Sequence, residues 1–412
     1  MDRACRIMND LVVTGIGELV TCPTNDGDGL GLVHDAAVVV RDGRVVFAGA
    51  ARELPGGLDG LPRLDARGRL VTPGLVDPHT HLVFAGSRAH EFDLRNQGKS
   101  YLEIQAAGGG ILATVTATRA ASIDELQAAA LARLDRFASH GVTVVEAKTG
   151  YDLTLDGERR LLETTAGLRP RHPIDLSPTL LAHVPPLEGD RDAYVRGFCE
   201  SLIPIAADAE AVDVYCDAGA FTLAETRQIL EAAKRAGKRL RVHAEQFTNT
   251  GAAELAAELG AASVEHLEQL SDGAPAKLAA AGVVCNLLPG AALTLRLPWP
   301  DAGKLYAAGC IVALGTDCNP GSSLSESQPL MMSLACTQMG LTAAQAWRGV
   351  TRAAAQALGR GDAGQLVAGA RGDLVVWDAD DHRQVPQHLG ATLAADVVIR
   401  GRIIRRDHAR VG

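Results

Sequence analysis

The sequence predicts an α/β fold: a (β/α)8 TIM-like barrel with a small β-sandwich domain formed by both chain termini. Three observations predict it. Eight apolar runs of strand length recur between residues 74 and 317, helical segments separate most of them, and further strand-like runs with glycine turns lie toward the two ends. Buried strands alternating with helices make a parallel sheet, and eight such units suit closure into a barrel. An open doubly wound sheet is the alternative, but no GxGxxG follows the first strand to favour it. No repeat of roughly 20–50 residues marks a solenoid.

The ends come first. "AAVVVRDGRVVFAG" (36–49) is apolar on both sides of Asp42-Gly43, a strong two-residue hairpin signal. "GDLVVWDAD" (372–380) and "DVVIRGRIIRR" (396–406) repeat the pattern near the C-terminus. Residues 1–72 and 361–412 are therefore expected to form one composite β-domain, and 73–360 the barrel. The eight barrel runs are 74–81, 142–148, 174–184, 211–217, 239–245, 262–267, 282–289 and 310–317. Between them, Ser122 and Glu125 form a capping-box signature, as do Thr222 and Glu225, and Gly141 and Gly237 sit where helices stop.

Composition narrows the function classes. With 412 residues, 47% hydrophobic and 22% charged, the chain can bury a large core and is not a disordered type. The net charge is −9 with no basic block, so no nucleic-acid partner is expected. No apolar run nears ~18 residues, so no membrane span is expected. "MDRACRIMNDLVV" lacks the pattern of a secretion signal, and the eight cysteines contain no CxxC pair. A reducing cytoplasm fits both.

The polar residues collect at strand ends, where barrels keep their chemistry. His79 and His81 close the first run, two apart and so on one side of an extended chain. His243 closes the fifth run, His266 the sixth and Asp317 the eighth. Each is out of place in an apolar run unless something recruits it. Histidines and a carboxylate without cysteine ligands suit one divalent or iron ion, with Zn2+ and Fe2+ foremost. Such an ion lowers the pKa of a held water toward ~7, giving hydroxide to attack without Ser or Cys. A second ion would need a bridging lysine at the end of strand 4. That strand ends "VYCDAGAF", and Lys148 closes strand 2, so one ion is expected. Cys318 is read as structural, because its side chain points away from that of Asp317. "AAGGGI" (106–111) lacks the Lys-Ser/Thr of a phosphate loop and is read as a flap or as packing.

The set HxH, His, His, Asp on strands 1, 5, 6 and 8 resembles the amidohydrolase superfamily. "PHTHLVFAGSR", "SYLEIQAAGGGI", "EAKTGYDL", "HAEQ", "EHLEQ" and "TDCNPGSS" resemble its imidazolonepropionase family over nearly the whole chain. The resemblance implies a metal-dependent hydrolase and a homodimer. It implies opening of the ring of 4-imidazolone-5-propanoate to N-formimidoyl-L-glutamate in histidine degradation. It implies metal ligands His79, His81, His243 and Asp317, and substrate contacts at Arg88, Tyr151, His183, Gln246, Asn319, Gly321 and Ser322. Arg88 has the fork that meets a carboxylate. Asn319 and Gly321 make a turn and can also face the ring. Gln246 excludes a carboxylate base at its position. Asp317 or His266 is the expected catalytic proton carrier, with His266 also suited to stabilise an oxyanion or touch the metal. The short run "LPWPDAGK" after Arg296 departs from the family pattern and puts contacts there in doubt. A mononuclear deaminase of a heterocyclic base is the alternative enzyme. A non-catalytic scaffold is the alternative of another kind.

Overall fold

The computed structural model describes residues 9–23, 29–99, 103–104, 109–186 and 189–406. Cys5 and residues 106–108 of the glycine-rich run therefore lie outside the described residues.

All eight expected strands form, in order, as one parallel sheet: Leu75–Asp77, Val142–Lys148, Asp175–Ala182, Ala211–Cys216, Arg239–Ala244, Ser263–His266, Val284–Leu287 and Ile311–Leu314. We number them barrel strands 1 to 8. The sheet closes just beyond its first and last strands. Thr80 and Cys318 form a parallel bridge, with Asp317 N–H donating to His79 O and His81 N–H to Cys318 O, both at 3.0 Å. The closing residues are thus the candidate ligands and their neighbours. The apolar runs overreach the strands: His79, His81 and Asp317 lie past the last paired residue of strands 1 and 8. Barrel strands are buried on both faces, so apolar character continues into the closing loops and hides the true end.

The helices obey their caps. Ser122 and Glu125 complete a capping box on Ile123–Ser139, and Thr222 and Glu225 do so on Leu223–Arg235. Gly141 and Gly237 then take φ of 85° and 72°, left-handed values that stop each helix. Leu126, Ala130, Leu134 and Phe137, spaced three or four apart, bury one face of the first helix completely. A third box, Thr342 with Gln345, caps Ala343–Gly349.

The second sheet takes strands from both ends, in the order 402–406, 394–399, 374–377, 70–73, 11–20, 32–41, 44–50, with 63–65 also paired to 11–20. Asp42 and Gly43, at φ 48° and 75°, make the expected tight hairpin turn. Leu11, Val13, Leu19, Val38, Val40, Val71, Leu374, Val376 and Val398 form its core.

Several contacts join this sheet to the barrel. Trp377 meets Trp347 edge-on at 5.5 Å, its indole N–H held within the sheet by Thr72 Oγ1 at 2.8 Å. Arg371 reaches Asp175, the first residue of strand 3, at 2.6 Å and Asp373 at 2.8 Å, and Arg360 shares Asp175 at 3.0 Å. The Arg371 side chain is almost wholly buried. Arg371→Ala leaves the buried Asp373 without its guanidinium and Asp175 with Arg360 alone, and is expected to destabilise the protein by about 3 kcal/mol, read as a lower urea midpoint. An unchanged midpoint would show that this junction holds nothing together.

Candidate metal centre and its cavity

The barrel interior is polar where a small barrel is usually aliphatic. Glu146, Lys148, Asp213, Arg241, Ser263, Glu265 and Asn286 are all fully buried there. They come from strands 2, 4, 5, 6 and 7, one or two per apolar run. Lys148 Nζ donates to Asp213 Oδ2 at 2.6 Å and to Glu146 Oε1 at 2.8 Å. Arg241 Nε lies 3.2 Å from Glu146, and Arg241 Nη1 donates to Ser263 Oγ at 3.1 Å. Ser263 Oγ and Asn286 Nδ2 each donate to Glu265 at 2.5 Å. Lys148 is therefore an internal counter-ion on strand 2, as its sequence position implied, and not a ligand closing strand 4.

This network ends on two imidazoles. Glu265 Oε2 lies 2.7 Å from His79 Nδ1, and Asp213 Oδ2 lies 3.0 Å from His243 Nδ1. At His79 the carboxylate hydrogen-bonds Nδ1, fixes the tautomer and leaves Nε2 bare; at His243 the carboxylate stands beside Nδ1 at ion-pair distance. His79 Nε2 and His243 Nε2 are buried and make no hydrogen bond among the described residues. Asp317 Oδ1 lies 3.3 Å from His79 Nε2 and 3.5 Å from His81 Nε2. Asp317 Oδ2 is held by Ser322 Oγ at 3.0 Å. Ligand atoms of His79, His81 and Asp317, and of His79, His243 and His266, lie within 4.8 Å of one another. Buried nitrogens without partners, facing one carboxylate oxygen, are a donor set for a cation.

The charges agree. Burial and nearby Lys148 would lower the His79 pKa, yet Glu265 and Asp317 outweigh them and push it up to about 9. Burial would raise the Asp317 carboxyl, but the His79 and His81 imidazoles hold it well below the carboxylate range. His243 goes the other way: burial, above all, pushes it down to about 3, so it is a neutral donor. Positive charge is drawn toward His79 and Asp317, and a metal cation answers that demand.

The backbone is strained where these side chains leave the strands. Glu245, His266, Leu267 and Asp317 have φ of 59°, 77°, 73° and 52°. Non-glycine residues in this region cost about 1–3 kcal/mol each, and such strain gathers at functional sites.

Above the imidazoles lies a cavity of about 120 Å³. His81, Arg88, Tyr151, His183, His243, Gln246, His266, Asp317, Asn319, Gly321 and Ser322 all line it. Of the twelve residues singled out from the sequence, only His79 is not in the lining; it sits beneath, fully buried. His183 Nδ1 lies 3.0 Å from Gly150 O, and burial with His81 and His243 nearby holds it neutral. It therefore donates from Nδ1 and offers Nε2 as an acceptor. Tyr215 O–H donates to Gln246 Oε1 at 2.9 Å, which leaves the Gln246 amide N–H groups as donors. Arg88 spends Nε and Nη2 on Glu91 at 2.9 and 2.8 Å, so its end-on Nη1–Nη2 edge is the one placed to meet a carboxylate. A Cβ at Gly321 would collide with that guanidinium, which explains glycine there.

Asn319 makes the expected turn. Its Nδ2 donates to Asp317 O and Ser322 Oγ, and its Oδ1 accepts from Gly321 N–H and Ser322 N–H, all at 2.7–2.9 Å. The amide is saturated and serves the turn that presents Asp317. Cys318 is fully buried, with a thiol pKa raised by burial, in keeping with a structural role. Sequence reasoning missed Arg95, Tyr215, Phe247 and Leu295 in the lining. Arg95 donates to Gly321 O at 2.7 Å. Of the unusual run after Arg296, nothing reaches the lining; Leu295, just before it, does. All seven described cysteines are free, and no helix among the described residues is long and apolar enough to cross a membrane.

A closed parallel barrel with histidines and an aspartate at strand ends 1, 5, 6 and 8 defines a metal-dependent hydrolase class. The chain matches the model of the amidohydrolase family over residues 95–405. It is 46% identical over 410 residues to imidazolonepropionase of Myxococcus xanthus, covering 96% of this chain and 97% of that one. It is 44% identical over 412 residues to that of Symbiobacterium thermophilum, covering 96% and 97%. The chain belongs to the imidazolonepropionase family of amidohydrolases. Among solved structures it resembles 5-methylcytosine deaminase of Klebsiella pneumoniae at a TM-score of 0.74 and 17% identity, covering 96% of this chain and 97% of that one. It also resembles zinc-complexed atrazine chlorohydrolase TrzN of Arthrobacter aurescens TC1, at 0.67 and 18%, covering 96% and 95%. At these identities the likeness is one of fold.

Glu265→Gln keeps the shape of the side chain and removes the charge behind His79. It is expected to weaken metal retention about 10–100-fold, measured by metal content after dialysis against graded chelator. Wild-type retention would show that Glu265 does not prepare His79 for a cation.

Proposed function

We propose that this protein hydrolyses 4-imidazolone-5-propanoate to N-formimidoyl-L-glutamate, with one divalent or iron ion held by His79, His81, His243 and Asp317. What supports this is that ligand atoms of His79, His81 and Asp317, and of His79, His243 and His266, come within 4.8 Å of one another, with bare buried nitrogens, beneath a cavity lined by the residues that the family resemblance points to as substrate contacts. Family membership supports the substrate. The all-nitrogen-and-oxygen donor set suits Zn2+ or Fe2+.

When bound there, the ion supplies Lewis acidity and makes a nucleophile of water at neutral pH. The residues do the rest. Arg88 takes the propanoate carboxylate on its free edge, and Glu91 keeps the fork from swinging away. Neutral His183 accepts from a ring N–H, and Gln246 donates to a ring acceptor. Resonance across the ring amide resists attack, so holding the ring carbonyl carbon over Asp317 and His266 turns an encounter into a positioned reaction. Water adds at that carbon, the C–N bond breaks, and the proton lost by the water goes to the departing nitrogen. His266 lines the cavity beside Asp317 and carries that proton. Two copies of the chain are proposed to form a dimer.

Loss of the substrate's ultraviolet absorbance on adding enzyme, abolished by chelator and restored by metal, is the expected result. Ammonia release from a heterocyclic base, without turnover of the imidazolone, would replace this reading with the deaminase. His266→Phe is expected to keep the metal and lower kcat about 100-fold or more. Metal loss in that variant would make His266 a ligand. Arg88→Met is expected to raise KM about 10–100-fold, the worth of a hydrogen bond to a charged group. An unchanged KM would remove Arg88 from carboxylate binding.

A further inference from the structure

The third imidazole of the site has a carboxylate of its own. His79 backs onto Glu265 at 2.7 Å and His243 onto Asp213 at 3.0 Å, each through Nδ1. His266 Nδ1 faces Glu268 Oε1 at 3.6 Å. Both side chains are buried, Glu268 completely. Among the described residues, neither oxygen of Glu268 makes a hydrogen bond, and nor does His266 Nδ1. Orphaned groups of this kind are rare and costly in a folded protein. Here an acceptor and the nitrogen it suits lie 3.6 Å apart, just beyond bonding distance.

The backbone has been bent to bring them there. His266 and Leu267 both take left-handed φ, 77° and 73°, which two non-glycine residues in succession rarely do. Leu267 N–H to Ala244 O at 3.2 Å and Gln269 N–H to Glu245 O at 2.7 Å pin this turn onto the end of strand 5. It folds residue 268 back against residue 266. We propose that Glu268 is a positioning residue for His266. It accepts the Nδ1–H, fixes the tautomer and turns Nε2 into the cavity as the atom that takes and returns the proton. Unlike Glu265 and Asp213, it serves an imidazole that the proposed function assigns to proton transfer. The inference rests on that assignment.

The test uses the full-length, metal-loaded protein and a double-mutant cycle. Glu268→Gln is expected to lower kcat about tenfold and Glu268→Ala about 100-fold, with KM within about twofold and wild-type metal content. In a His266→Phe background, neither substitution is expected to lower kcat further. Equal losses in both backgrounds, or wild-type kcat in both single variants, would overturn the proposal. If Glu268→Ala does not fold, the Glu268→Gln cycle decides alone. A second readout does not depend on turnover. In 15N-histidine spectra, the His266 signals, identified by their loss in His266→Phe, should show the Nδ1–H tautomer in the wild type and shift away from it in Glu268→Ala. An unchanged tautomer mixture would overturn the proposal. If the wild type fails to open the imidazolone ring, the proposed substrate falls, and the spectra still decide the role of Glu268.

Discussion

The contact between Lys148 and Asp213, 2.6 Å long and sealed inside the barrel, is the constraint on which the site depends. Removing two charges from water costs several kcal/mol per ion, and the cost is recovered only with good geometry and full hydrogen bonding. Lys148 offsets part of it by pairing with Glu146 as well, and Arg241 ties Glu146 to Ser263, while Glu146 Oε2 and Asp213 Oδ1 stay without a partner among the described residues. Asp213 and Glu265, held on this frame, have little freedom to rotate. Asp213 Oδ2 faces both Lys148 and His243, and Glu265 Oε2 both Asn286 and His79, so the frame sets the orientation of the two imidazoles. Counting the layer with Asp317, the fixed cations Lys148 and Arg241 face four carboxylates, Glu146, Asp213, Glu265 and Asp317, and the surplus is what lifts the His79 pKa. The imbalance is a standing attraction for a cation at the barrel mouth.

Closure and chemistry share the same residues. The bridge between Thr80 and Cys318 joins strand 1 to strand 8, and each partner is adjacent in sequence to a candidate ligand. Asp77 reinforces the seam, accepting from Thr316 Oγ1 at 2.6 Å and Thr316 N–H at 3.1 Å. Any loosening of the seam would separate His79 from Asp317, so preorganisation of the site is inseparable from the fold. The left-handed residues at strand ends 5, 6 and 8 are the local cost, offset by the packed barrel around them.

Much of this was legible in the chain. Eight apolar runs and the capping boxes marked the barrel, because strands buried on both faces are nearly continuous in apolar character. The candidate ligands stood out as polar residues at the ends of those runs. Strand ends were misjudged, since Leu82, Val83 and Phe84 beyond His81 are as buried as the strand itself. The interior network went unread although a signal existed. Glu146, Asp213, Arg241, Glu265 and Asn286 each interrupt an apolar run, and the first four each lie two residues from another polar or aromatic side chain on the same face. Which of them meet depends on the order of strands around the barrel, which no local pattern contains. Asn319 is legible as a turn residue that can also face a ligand, and the four hydrogen bonds of its amide show the first of these roles.

The central claim is that a rigid polar core aims three imidazoles and one carboxylate at a single ion. Anomalous diffraction from a crystal of the metal-loaded protein, collected at the absorption edge of the metal, tests it most directly. The account predicts one peak in the barrel mouth, about 2.0–2.2 Å from His79 Nε2, His243 Nε2, a ring nitrogen of His81 and an Asp317 oxygen. A peak ligated by other residues, or two peaks bridged within the barrel mouth, would contradict it.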